Sequence, residues 1–231
     1  MSRQGTENNL KINIAIDGPA GAGKSTIARL VAKELSYIYV DTGSMYRAVT
    51  WYMLKYGIKP ESSDEVLRHA RNMVLELMPG ADGQKVLVNG QDVSPLIRSR
   101  EVNGMVSQYA QNEGLREHLV ALQREMAARK GVVMDGRDIG TTVLPDAELK
   151  IFMTATVKER ALRRFKEMGD AQGLTLEQLE KDISERDRLD EGREISPLRC
   201  AEDAIVLDTT NMDIPQVVET IVSFCRTHTN S

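Results

Sequence analysis

Eight consecutive residues, Gly18-Pro19-Ala20-Gly21-Ala22-Gly23-Lys24-Ser25, satisfy the spacing G-x-x-x-x-G-K-[ST]. Glycines at these places let backbone N–H groups curl around phosphate oxygens, and a helix starting at the end of the loop turns its positive end on them. Lys24 would reach the β- and γ-phosphates, the Ser25 hydroxyl would ligate Mg²⁺, and the run from Gly18 to Thr26 is the ATP-binding candidate. A guanine-reading N/T-K-x-D segment is absent from the sequence, so the chemistry indicated is phosphate transfer to a small acceptor rather than GTP-driven switching.

Two further segments have the composition of an acceptor pocket. DTGSMYR (41–47) offers the Thr42 hydroxyl, the Tyr46 ring and the Arg47 fork, although an ordinary helix start capped by Asp41 or Thr42 would read the same way. DGRDIG (135–140) supplies Asp135 at the position of a carboxylate that steers Mg²⁺ through water, Gly136 for close backbone approach, and then Arg137 and Asp138. A third segment, ERDRLDEGR (185–193), carries seven charges in nine positions. At about 100° per residue, Arg186, Asp190 and Arg193 continue the apolar face of Leu179 and Ile183. Glu185, Asp187, Arg188 and Glu191 fall on other faces and suit a solvated helix surface. Gly192 is placed to end the helix just before Arg193.

The elements that must position these residues alternate between strand and helix. Strands are predicted at 12–17, 37–41, 132–135, 149–155 and 204–210. Helices are predicted at 24–35, around Leu115 to Met126, from Thr175, and from Ile214 to Arg226. Such alternation predicts an α/β fold, a P-loop NTPase-type parallel five-stranded sheet flanked by helices, with right-handed crossovers. Acceptor segments then follow strand ends, where open α/β sheets hold ligands. Two regions break the rhythm. Residues 57–101 combine a predicted helix, Asp64 to Met78, with the hairpin signal Asn89-Gly90 inside KVLVNGQDV. Residues 156–174 start with a capping box, Thr156 and Glu159, and form a short helical flap ending in the Gly169/Gly173 stretch. In that flap Arg160, Arg163 and Arg164 lie at i, i+3 and i+4 and share a face. One or two of them are expected to fold over the phosphates, with Arg160 and Arg164 as the catalytic candidates beside Lys24 and Arg137.

Composition bounds the classes. The chain has 231 residues, 41% hydrophobic and 28% charged, with a net charge of −4. The acidic balance argues against a nucleic-acid binder. No apolar run reaches the roughly 18 residues of a membrane span, and the polar lead MSRQGTENNLK lacks a signal core. Two cysteines, Cys200 and Cys225, make no disulfide framework, which points to the cytoplasm. Arginine outnumbers lysine 19 to 11, and its planar fork suits bidentate phosphate recognition. His69, His118 and His228 lack metal-ligand spacing, and the 11 methionines read as core filler. A monomer is the default expectation.

GPAGAGKST, DTGSMYR, GRDIGT and ERD-x3-D-x2-R, in this order, resemble bacterial cytidylate kinases from about Lys11 to Phe224. The resemblance implies a nucleoside monophosphate kinase fold with core (11–41, 102–155 and 175–231), a CMP-binding lobe with an inserted hairpin (42–101) and a lid (156–174). It implies phosphoryl transfer from ATP to CMP or dCMP with Mg²⁺. Arg47, Arg137 and Arg193 match residues that hold the CMP phosphate. Ser107, Arg116 and Asp138 match those around cytosine, and Arg186 and Asp190 those near the sugar. Thr42, Tyr46 and Gly136 fall in the same pocket. Ser44 departs from the alanine frequent there in the family. Cytosine's exocyclic amine needs an acceptor, which Asp138 supplies, whereas uracil presents an oxygen. The competing readings are a P-loop kinase of UMP, AMP or shikimate, and a nucleotide-dependent switch. A switch needs no second set of phosphate-binding arginines.

Overall fold

A computed structural model describes residues 11–80, 83–168 and 175–229. In chain order the elements begin β1 (Asn13–Asp17), α1 (Lys24–Leu35), β2 (Ile38–Asp41), α2 (Thr42–Lys55) and α3 (Ser63–Asn72). There follow β3 (Leu75–Gly80), β4 (Gly83–Val88), β5 (Gln91–Asp92), α4 (Arg100–Tyr109), α5 (Glu113–Ala127) and β6 (Val132–Gly136). The chain closes with β7 (Leu149–Thr154), α6 (Val157–Met168), α7 (Leu176–Glu191), β8 (Ile205–Asp208) and α8 (Ile214–Thr229).

Five strands form one parallel sheet in the order β2-β6-β1-β7-β8, as the alternation of strand and helix predicts. Every residue of β1 and β6 is buried, the pattern of strands covered on both faces. Their side chains divide by the period of two. Ile14, Ile16 and Val133 join α1 and α8 residues such as Val31 and Ile221 in one core. Ala15, Val132 and Met134 join Met45, Leu115 and Leu119 of α2 and α5 in the other. Register aligns the strand ends that carry chemistry: Asp17 lies beside Gly136, and Asp41 beside Asp135.

The region after α2 differs from expectation in one element. The predicted helix 64–78 stops at Asn72, and Leu75–Gly80 is a strand instead. Glu76, Leu77 and Met78 have good helix propensity, but pairing decides otherwise: Leu75 and Leu77 face in and sit opposite Val88 and Val86, while Glu76 and Met78 face out. Asn89 and Gly90, with φ of 50° and 79°, make the turn into β5, the left-handed pair that a two-residue hairpin requires.

α6 and α7 pack on each other around Ala161, Leu179 and Ile183. Thr175 caps α7 by accepting from the Gln178 backbone N–H, and Gly192 ends it. The Gly169/Gly173 stretch lies outside the described residues, as does most of the N-terminal lead.

Candidate active site

The donor loop runs from the buried end of β1 into α1. Its cap residue, Gly23, is left-handed and α1 has no side-chain cap, so first-turn N–H groups are free of side-chain acceptors and suit an anion. Lys24 is buried and donates from Nζ to the Pro19 carbonyl at 2.8 Å. Burial, then the positive field of Arg137, lowers its pKa well below the usual lysine value, against the pull of Asp135 and Asp17. Such a lysine gains most from an approaching phosphate. The Ser25 hydroxyl donates to Asp135 Oδ2 at 2.8 Å, and the Tyr39 hydroxyl donates to Oδ1 at 2.9 Å. Burial, then repulsion from Asp41, pushes Asp135 up to about 6.

The acceptor side is built from paired charges. Asp41 caps α2, accepting the Ser44 N–H at 2.8 Å, and also pairs with Arg47 at 3.1 Å. The capping reading of DTGSMYR therefore holds, with Asp41 as the cap and Arg47 paired to it. Ser44 is buried between the two and accepts from Arg47 Nη2 at 2.7 Å. Thr42 donates to the Asp135 carbonyl at 2.7 Å, tying the start of α2 to the end of β6. A Cβ at Gly136 would lie 2.7 Å from Thr42 Oγ1 and 2.6 Å from Ile139 Cδ1, so only glycine fits there. Arg116 and Asp138 form a buried ion pair, with the Arg116 guanidinium 5.4 Å from the Tyr46 ring centroid. Arg137 Nε donates to Asp190 Oδ2 at 2.7 Å, and Arg193 pairs with Asp190 Oδ1. Burial alone would raise Asp190, but Arg137, Arg193 and Arg186 outweigh it and hold its pKa low. Burial, then Arg137, lowers Arg186 to about 10. Ser107 is buried on α4, which packs against α2 and α7.

Among the described residues, six buried side-chain polar atoms lack a hydrogen-bond partner, and five of them belong to this pocket: Tyr46 Oη and the Nε atoms of Arg47, Arg116, Arg186 and Arg193. Buried donors are ordinarily satisfied. Here they are concentrated where an anionic acceptor with a polar base would supply acceptors.

On α6, Arg163 donates to the Ala22 carbonyl at 3.3 Å and to the Thr209 carbonyl at 2.6 Å. Arg160, expected over the phosphates, is buried against the loop's backbone: it donates to Ala20 O at 2.8 Å and pairs with Asp187 at 2.6 Å. Arg164 is half-buried on the same helix. Asp187, expected in solvent, is buried and accepts the Ala20 N–H at 3.1 Å. Helical phase does reach it: Asp187 lies four residues after Ile183, so Leu179, Ile183, Asp187 and Asp190 form one buried stripe, and Ile183 itself faces the donor loop at Gly21.

Asp17 and Tyr39 were also missed. Asp17 accepts the N–H groups of Ile139 and Gly140 at 2.8 and 2.7 Å, and burial pushes it up to about 6. A signal was present: β1 and β2 both end in aspartate, and β6 has one at its penultimate position, at the strand ends where open α/β sheets hold ligands.

The sequence profile of cytidylate kinase matches residues 14–227. A cytidylate kinase of Bacillus cereus (strain ATCC 10987 / NRS 248) is 51% identical over 214 residues, 92% of this chain and 95% of its own. One of Bacillus cytotoxicus is 52% identical with the same coverage. A crystal structure of an uncharacterised protein from Eubacterium ventriosum aligns with a TM-score of 0.53 at 12% identity, covering 94% of this chain and 99% of that one, and shares the fold alone. With donor loop, acceptor arginines and profile running along nearly the whole length, the chain belongs to the cytidylate kinase family.

Proposed function

We propose that this protein transfers the γ-phosphoryl group of ATP to CMP or dCMP, giving ADP and CDP or dCDP. The observation that carries this reading is the set of unpartnered buried donors on Tyr46, Arg47, Arg116, Arg186 and Arg193, on the acceptor side of a P-loop. The acceptor is already an ionised phosphate, so the reaction needs no general base, and catalysis is positioning with charge stabilisation. ATP lies along Gly18 to Thr26 with Lys24 on its terminal phosphates. Arg47, Arg137 and Arg193 hold the CMP phosphate, Arg186 and Asp190 the sugar, and Ser107, Arg116 and Asp138 the base, with Thr42, Tyr46 and Gly136 shaping the wall. Arg137 and Arg186 both act on Lys24 through their charge, which supports donor and acceptor phosphates meeting between them. Arg164 belongs to the lid arginines that approach the phosphates, whereas Arg160 serves them through the loop backbone.

The oxygens of Ser25 and Asp135, 2.8 Å apart at the loop, fit Mg²⁺, a hard cation that keeps waters and takes phosphate oxygens. Ser25 would hold it directly and Asp135 through water. Bound with the nucleotide, it would neutralise phosphate charge. Residues 11–41, 102–155 and 175–231 form the core in this reading, 42–101 the CMP lobe and 156–174 the lid, with α7 serving as the lid's packing partner. The enzyme is read as a cytoplasmic monomer that binds neither nucleic acid nor membrane. The net charge of −4 argues against nucleic-acid binding, and no described helix is long and apolar enough to cross a membrane.

A coupled ADP-release assay across CMP, dCMP, UMP, AMP and GMP tests the substrate reading. CMP and dCMP are expected to exceed UMP by roughly tenfold or more, the worth of one good base contact. Equal turnover of UMP would overturn the role of Asp138.

A further inference from the structure

Asp187 and Arg160 are both engaged on the donor-loop backbone, where together they hold both backbone polar groups of one residue, Ala20. Asp187 Oδ1 accepts the Ala20 N–H at 3.1 Å, Arg160 Nη1 donates to the Ala20 carbonyl at 2.8 Å, and the two side chains pair at 2.6 Å. Arg160 is anchored further by its Nε on the Ala155 carbonyl at 2.9 Å. The approach is close: a Cβ on Gly21, where φ is +73°, would meet Arg160 Cβ and O at 3.2 Å and Ile183 Cδ1 at 3.4 Å. The loop is therefore in contact with both α6 and α7.

Three residues along α7 from Asp187, Asp190 grips Arg137 and Arg193 on the acceptor side. Two carboxylates on one rigid helix, about 4.5 Å apart along its axis, thus hold the two substrate sites. We propose that Asp187, braced by Arg160, is a positioning residue that sets the distance between the donor loop and the acceptor pocket through α7. Transfer requires the reacting atoms within roughly 3–3.5 Å, and a misplacement of about 1 Å costs on the order of a hundredfold. A strut made of charge-assisted bonds to backbone holds that distance more tightly than apolar packing of the small Ala161–Leu179–Ile183 cluster alone.

This rests on the phosphoryl-transfer reading above, and the test separates the two. Wild type, Asp187→Ala and Asp187→Asn are compared for melting temperature, for CDP formed against phosphate released to water, and for the Kd of a non-hydrolysable ATP analogue and of CMP by calorimetry. Asp187→Asn keeps an acceptor for the Ala20 N–H and turns the oxygen that faces Arg160 into an amide donor, removing the ion pair at nearly unchanged volume, so it remains informative if the alanine variant does not fold. Expected for Asp187→Asn is a fall in kcat for CDP formation of roughly 10- to 100-fold, a CMP Kd within twofold of wild type, weaker ATP-analogue binding, and a larger share of ATP lost to water. A folded Asp187→Asn protein with wild-type kcat and wild-type analogue affinity overturns the strut. A lowered melting temperature with those two values unchanged also overturns it, reducing the pair to a structural contact. A wild type that makes no CDP overturns the cytidylate reading instead, and the analogue affinity of the variants still decides the strut.

Discussion

The donor loop and the acceptor pocket are built by opposite means. On the donor side a short run of backbone leads into α1 with one buried lysine whose charge burial opposes. On the acceptor side, side chains from five elements or their flanking turns meet as ion pairs: Arg47 with Asp41, Arg116 with Asp138, Arg137 and Arg193 with Asp190. The first arrangement strains the folded state to serve the ligand. The second also holds helices together, because each buried charge has a partner it cannot lose cheaply. Donor-side changes should therefore cost activity without stability, and acceptor-side changes should cost both.

The largest effect is expected at Asp138→Ala. It strands Arg116 as an unpaired buried charge, which costs about 3–5 kcal/mol, read by chemical denaturation, together with loss of the preference for CMP over UMP. A variant of wild-type stability would break the contrast. Lys24→Met should lower kcat by roughly 10²–10³-fold while its melting temperature stays equal to wild type or rises, since a neutral chain replaces a buried cation.

Asp17 lies between the two regions: its backbone leads into the donor loop, and its carboxylate holds the turn after Asp138. Its pKa rises from 3.8 unfolded to about 6 folded. Below 3.8 the group is neutral in both states, and above about 6 it is charged in both, so the penalty for burying its charge builds up between these values. The stability of Asp17→Asn minus that of wild type should therefore increase by about 2–3 kcal/mol from pH 4 to pH 7.5, measured by denaturant titration at each pH. A flat difference would show the carboxyl titrating normally. The smallest effect is expected at Gln84, where the β4 side chain bonds the Tyr39 carbonyl and the Asp41 N–H. Gln84→Ala should raise the KM for CMP about fivefold, near 1 kcal/mol for neutral hydrogen bonds, and leave that for ATP unchanged. An equal rise for both substrates would mean that the hairpin supports the sheet as a whole.

Much of the fold was legible because its signals are local. Strand and helix periods, the capping boxes and Asn89-Gly90 each act over a few residues, and the core sheet follows from their order. The strand Leu75–Gly80 was not legible, because its residues prefer a helix until β4 supplies ladder partners. ERDRLDEGR shows where phase stops being enough. Phase selected Arg186, Asp190 and Arg193, and Asp190 is buried with its arginines. Asp187, assigned to solvent, lies four residues after Ile183 and so on the same buried stripe; what phase does not show is that the surface covering it is a loop more than 160 residues earlier in the chain.

The sequence by itself determined the donor loop, since eight contiguous residues suffice to curl backbone N–H groups around a phosphate. It determined the alternating sheet that exposes strand ends to ligands, and the residue types available there. Only the tertiary structure decided which charge meets which. Asp187 and Asp190 are the same residue type on one helix, and one braces Ala20 while the other joins Arg137 to Arg193. Partner choice depends on which distant surface packs against each face, and no local period encodes that.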